Sequence, residues 1–240
     1  MPIRDRYPGS DILAQRGHWD EATRKVILDR VHNVPKFRHF DAHQRETLEA
    51  LCARVVPQDH RPADRRVPIA PWIDSQLAQP SLEGFRFEDM PPGDQAWAWG
   101  LAGLDQSARE RFGKDFAALD ATQQDEVLQA IRQGEGSGDA WRQMSPKRWW
   151  RYVVLRQIVG IYYAHPNAWD EIGFGGPAYP RGYYALNFGA PEAWEAREAP
   201  SPDWRSTRSP NENGRDRNTR DGNRRSGNRR NGSARGGRPA

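Results

Sequence analysis

Apolar positions recur at helical spacing through most of the chain, and Pro and Gly punctuate them. In "WDEATRKVILDRVHNVP", Val26, Ile27 and Val31 fall on one side, and the pattern stops ahead of Pro35, because the residue before a proline is pushed out of the α region. "FDAHQRETLEALCARVVPQD" sets Leu48, Leu51, Cys52 and Val55 at i, i+3, i+4 and i+7. Asp41 as N-cap and Gln44 three residues later make a capping box there, and the helix ends near Val56, before Pro57. "PIAPWIDSQL" predicts a short helix with proline near its first turn. "AWAWGLAGLDQSARERFG" predicts a longer one with Trp97, Leu101, Leu104 and Ala108 on one face. "DATQQDEVLQAIRQGEGSGDAWRQM" gives a further helix, capped by Asp120 or Thr122 and closed by Gly134.

"SPKRWWRYVVLRQIVGIYYAHP" predicts a helix over 146–164, with Ser145 as cap, Pro146 at the first helical position and Pro166 as the stop. Trp150, Val153, Val154, Ile158 and Ile161 form one stripe, while Trp149, Tyr152, Leu155, Val159, Tyr162 and Tyr163 cover most other sides. A helix apolar nearly all round is either central in a core or covered by a partner. No convincing period-2 alternation lies between turn dipeptides, so strands are not expected. The predicted fold is all-α: a single irregular multi-helix domain with Pro/Gly-rich loops. Residues 1–18 are read as an N-terminal extended segment, 19–198 as the helical domain and 199–240 as a disordered Arg/Asn/Gly-rich tail.

Composition sharpens that division. The 240 residues are 36% hydrophobic and their mean hydropathy is −0.96. From Ser201 onward the chain holds eleven Arg and four acids, leaving 25 basic and 28 acidic residues in 1–200. The basic character therefore belongs to the tail and the body is mildly acidic. The tail has one aromatic and no aliphatic residue larger than alanine, too little apolar surface to offset the entropy of ordering it. The single cysteine, Cys52, excludes an internal disulfide and a cysteine-based zinc site, and its helical register predicts a buried thiol. No apolar run approaches the length of a membrane span, so direct membrane insertion is not expected. The N-terminus shows neither an apolar signal core nor a twin-arginine pattern. These features predict a cytoplasmic location, or a periplasmic one reached with an exported partner.

Chemical motifs are sparse. The glycines of "GFGGP" follow no predicted strand and open no helix, and a P-loop's Lys and Ser/Thr are missing, so nucleotide binding is not expected. Asp41 caps between His39 and His43, which keeps them off one helical face, and no HExxH pair occurs, so no metal site is expected. No nucleophile elbow is present. The adjacent acids Asp170 and Glu171 point different ways, and the alternative reading, a stand-alone enzyme of undetected type, would use His165 with one of them. The tail would give a nucleic-acid adaptor salt-sensitive phosphate contacts, but its one aromatic, Trp204, builds in no base stacking, so nucleic acid is not an expected partner. Ten tryptophans remain to be explained, as core fillers or as interface anchors.

The long segment "YYAHPNAWDEIGFGGPAYPRGY" is the most unusual stretch. Together with "YPGSDIL", "WDEATRKVILDRV", "ETLEALCARVVPQD", "VPIAPWIDSQL", "GFRFEDMPPGDQAWAWGLAGLD" and "QDEVLQAI", it makes the chain resemble the gluconate 2-dehydrogenase subunit 3 family, in order over about residues 7–198. The resemblance implies a helical, non-catalytic small subunit with no cofactor of its own. It implies a large FAD-dependent partner of the glucose–methanol–choline group and, in many complexes, a cytochrome c subunit. Small subunits of this kind are thought to help the large one mature, and many carry its export signal; this chain departs from the pattern in lacking one, and its tail lies outside the resemblance. On this reading no residue is catalytic, cofactor-binding or metal-binding. The expected partner interface is Trp149, Trp150, Tyr162, Tyr163, His165, Trp169, Phe174 and Arg181, with Arg181 offering a fork for a carboxylate.

Overall fold

The computed structural model describes residues 6–79, 86–182 and 194–199, and these are helical with no strand among them. Residues 200–240, nearly all of the expected tail, lie outside the described residues. Helix α1 (Glu21–His32) starts where the Asp20 carboxylate accepts the backbone N–H of Thr23. Helices α2 (Ala42–Val55) and α5 (Ala121–Gln133) both open with reciprocal capping boxes, Asp41 with Gln44 and Asp120 with Gln123. Such boxes satisfy terminal N–H groups that no intrahelical carbonyl can reach. Between them run α3 (Ile69–Leu77) and the long α4 (Gly93–Phe112). Helix α5 stops at Gly134, whose φ of 94° is a left-handed conformation that glycine adopts without a steric penalty.

The apolar segment over 146–164 is three consecutive pieces rather than one regular helix. They are α6 (Pro146–Trp149), a π-helical turn over Trp150–Val154, and α7 (Leu155–Ala164). The wider turn shifts the side-chain phase. Trp149 and Val154 are fully buried, while Tyr152 and Val153 stay half-buried at the surface. Pro166 does more than stop the segment, since it opens the short α8 (Pro166–Trp169) behind the cap residue His165.

Helix α4 is the axis of the core, in contact with α2, α5 and α6. Its residues Trp97, Leu101, Leu104 and Ala108 are all buried. An ideal Cβ at Gly100 would stand 2.0 Å from the Trp149 ring, so that indole lies directly on the α4 backbone. Trp97 and Trp141 meet Trp149 edge to face at 5.9 and 5.4 Å between ring centroids. Three of the ten tryptophans are therefore core fillers. Cys52 is buried as its register predicts, and burial pushes its thiol pKa well up, away from the reactive thiolate.

Two buried carboxylates fix loops to this core. Asp74 of α3 has no exposed surface and accepts the consecutive backbone N–H groups of Arg38, His39 and Phe40 at 2.7, 2.9 and 2.9 Å. Asp105 of α4 accepts from the Phe116 N–H at 3.0 Å and lies 2.8 Å from His43 Nε2.

The described residues up to Glu198 belong to one unit. Within it a smaller apolar cluster of Ile12, Trp19, Ile27 and Trp169 packs the N-terminal segment and α1 beside α8. The segment expected to be extended coils into 3-10 turns over Ile12–His18, capped by Asp11. Helix α1 buries a narrow face through Ile27, and Val26 is 59% exposed rather than sharing that face.

Candidate functional site

The stretch from His165 to Gly182 is a seat for the chain's own N-terminal segment. Asp170 Oδ1 accepts from the Ile12 N–H at 2.8 Å and the Ser10 hydroxyl at 3.1 Å. Gly173 leaves room for the Tyr7 ring and Gly176 for Ile12; an added Cβ would stand 2.4 and 2.8 Å from them. The glycines that resemble a phosphate loop are thus close-approach positions for side chains of this chain. Burial raises the Asp170 pKa, partly offset by those two hydrogen bonds.

Glu171 faces the other way, into an ionic clamp. It receives the Tyr162 hydroxyl at 2.8 Å and Arg61 at 2.6 Å, with His60 at 3.2 Å. Arg61 also donates to the Asn167 carbonyl at 2.7 Å. Burial alone would raise Glu171, but the hydrogen bonds from Tyr162 and His60 and the charge of Arg61 outweigh it and hold the carboxyl below its ordinary range. Burial, reinforced by Glu171, pushes the Tyr162 phenol up to about 12. The clamp ties the loop ahead of α3 to α7 and α8.

His165 is 1% exposed. Its Nε2–H donates to the Arg30 carbonyl at 3.1 Å and its Nδ1 accepts the Asn167 N–H at 3.2 Å, a tautomer assigned from these partners. Burial lowers its pKa to about 4. With both nitrogens engaged, neither is available to take a proton from a substrate, and this histidine does not fit the role of general base.

Of the eight residues expected at an interface, Trp149, Tyr162, His165 and Trp169 are buried inside the chain. Trp169 donates its indole N–H to the Tyr163 carbonyl at 2.9 Å. Trp150 and Tyr163 are half-buried against the core. Phe174 is 43% exposed and meets Trp169 edge to face. Arg181 finds no carboxylate among the described residues; it donates to Gln15 at 2.9 Å and stacks over Trp194 at 3.9 Å.

A second feature lies on a different face. A cleft of about 460 Å³ opens between α3, the start of α4, the π turn and α7. Met90, Ala96, Trp97 and Ile161 form its buried floor, and the Phe87 and Tyr152 rings, 4.4 Å apart, stand on one side. Nothing stands within 4 Å of where a Cβ on Gly160 would be, so α7 leaves the space open there. The rim carries Gln76, Arg86, Arg156 and Gln157. Trp97 Nε1 donates to Gln157 Oε1 at 2.6 Å, and Gln157 in turn donates to Gln76 at 2.9 Å. No carboxylate is among the described residues lining the cleft. Its volume falls within the ~300–1,000 Å³ of ordinary binding pockets. The rim draws on α3, on the segment before α4 and on α7, so no single local pattern marks the cleft; Gly160 inside an apolar helix is a local trace of it.

No group of three or more His, Cys, Asp or Glu that could hold a metal occurs among the described residues, and none of their helices is long and apolar enough to cross a membrane. A family model described as gluconate 2-dehydrogenase subunit 3 matches residues 42–176, from the start of α2 to the glycine that receives Ile12. No curated protein and no solved structure matches the chain.

Proposed function

Because the chain belongs to the gluconate 2-dehydrogenase subunit 3 family, we propose that it is a non-catalytic small subunit that binds and stabilises a large FAD-dependent dehydrogenase. The family match over residues 42–176 carries this reading. The internal use of the His165–Gly182 stretch supports it, since the residues that most resemble catalytic groups are engaged with this chain's own backbone and side chains. The partner is a flavoprotein of the glucose–methanol–choline group that oxidises a sugar, sugar acid or alcohol, and a cytochrome c subunit takes its electrons onward. The subunit works in the cytoplasm, or in the periplasm when a twin-arginine-bearing partner carries it there.

Expressing the dehydrogenase subunit with and without this chain tests the proposal. Omitting the chain lowers both the soluble yield and the FAD content of the large subunit, while the isolated small subunit carries no flavin. A large subunit that folds, loads FAD and turns over equally well alone would contradict the reading.

A further inference from the structure

We propose that the cleft between α3, α4 and α7 receives a segment of the partner polypeptide that presents an apolar side chain next to an aspartate or glutamate. The proposal rests on the accessory-subunit reading and deepens it by naming the surface and the chemistry of what it holds. Three observations carry it. The floor is apolar and buried, and at Gly160 the space above α7 is open enough for an inserted side chain. The rim is cationic: Arg86 and Arg156 are exposed and, among the described residues, make no ion pair and have no carboxylate beside them in the lining. Residues 1–200 carry a net negative charge, so two such arginines at the mouth of an apolar cleft are a local reversal that complements an acidic ligand.

The amides on the rim favour a polypeptide over a small carboxylate. Gln157 spends its oxygen on Trp97 and one N–H on Gln76, which fixes the orientation of the pair. Among the described residues, both N–H donors of Gln76 and the second of Gln157 remain for an incoming chain's backbone carbonyls. An apolar anchor seated in a desolvated pocket, ringed by polar contacts, is the arrangement that concentrates binding energy at protein interfaces.

The test uses the full chain co-expressed with its dehydrogenase subunit. With the photo-crosslinker p-benzoylphenylalanine in place of Gly160, irradiation should join α7 to one peptide of the large subunit, and mass spectrometry should find an apolar residue beside Asp or Glu in it. Gly160→Trp, which fills the cleft, and the double reversal Arg86→Glu/Arg156→Glu should each weaken assembly about tenfold or more. Arg132→Glu, an exposed reversal on α5, should leave assembly unchanged. Circular dichroism should show the same helical content in all of these variants, and the charge reversals, being at exposed positions, test the rim even if the tryptophan perturbs the helix. A complex that forms undiminished with both cleft variants, or a crosslink confined to this chain, overturns the proposal and leaves the accessory role standing. So does dodecanoate that blocks the crosslink without dissociating the complex, which would make the cleft a small-ligand site. Failure of the wild-type chain to form any complex removes the accessory reading and the proposal together.

Discussion

His165 illustrates how burial changes what a residue can do. Its surroundings favour the neutral ring, so its folded pKa of about 4 lies below the ordinary 6.5. The unfolded chain therefore takes up a proton that the folded chain refuses. The stability this represents is complete above about pH 6.5 and is lost as pH falls toward 4. Between about pH 7 and pH 5 the loss amounts to about 2 kcal/mol. Urea unfolding at the two pH values should show it, and His165→Gln, which keeps a donor for the Arg30 carbonyl, should flatten the difference. An unchanged pH dependence in that variant would mean other groups titrate in its place. Asp74 shows what a polar side chain needs in the core: it has no exposed surface, and three consecutive backbone N–H groups satisfy its oxygens. Its partner segment, 34–36 residues earlier in the chain, has no signature in the sequence, whereas the Asp41 and Asp120 caps do, because their partners are three residues away.

At the scale of elements, the boundaries followed from short-range chemistry and were legible. Asp41 and Asp120 start helices, Gly134 ends one, and Ser145–Pro146 open another. The π turn over Trp150–Val154 was not legible, because an apolar run on nearly every side fits any helical period equally well. Two glycines in helices show how neighbours decide the sign of one and the same substitution. At Gly100 a methyl group would stand 2.0 Å from Trp149, so Gly100→Ala should destabilise by about 1–3 kcal/mol despite alanine's better helix propensity. At Gly160 nothing stands within 4 Å, so Gly160→Ala should stabilise by about 0.5–1 kcal/mol. Thermal unfolding of the two variants checks the pair, and a stabilised Gly100→Ala would mean the Trp149 ring does not sit on α4.

For the whole molecule, the all-α architecture and the family were legible from pattern and motif. The division of labour between interior and surface was not. Trp149, Tyr162, His165 and Trp169 carry the residue types of an interface, yet they pack inside: Tyr162 and Trp169 find acceptors there, and Trp149 is held by ring contacts with Trp97 and Trp141 although its indole N–H meets no acceptor among the described residues. The cleft brings Gln76 of α3 and Arg86 to Gln157 and Gly160 of α7, a juxtaposition that depends on tertiary packing. The most reactive-looking side chains, His165, Asp170 and Glu171, are engaged in holding this chain together, as the proposed role beside a flavoprotein partner requires. Size-exclusion chromatography of the co-expressed pair, followed at protein and flavin absorbance, tests that central claim most directly. The account predicts that this chain elutes with the flavin-bearing large subunit in a fixed ratio. A chain that elutes alone as a stable monomer, with the flavin peak free of it, would contradict the account.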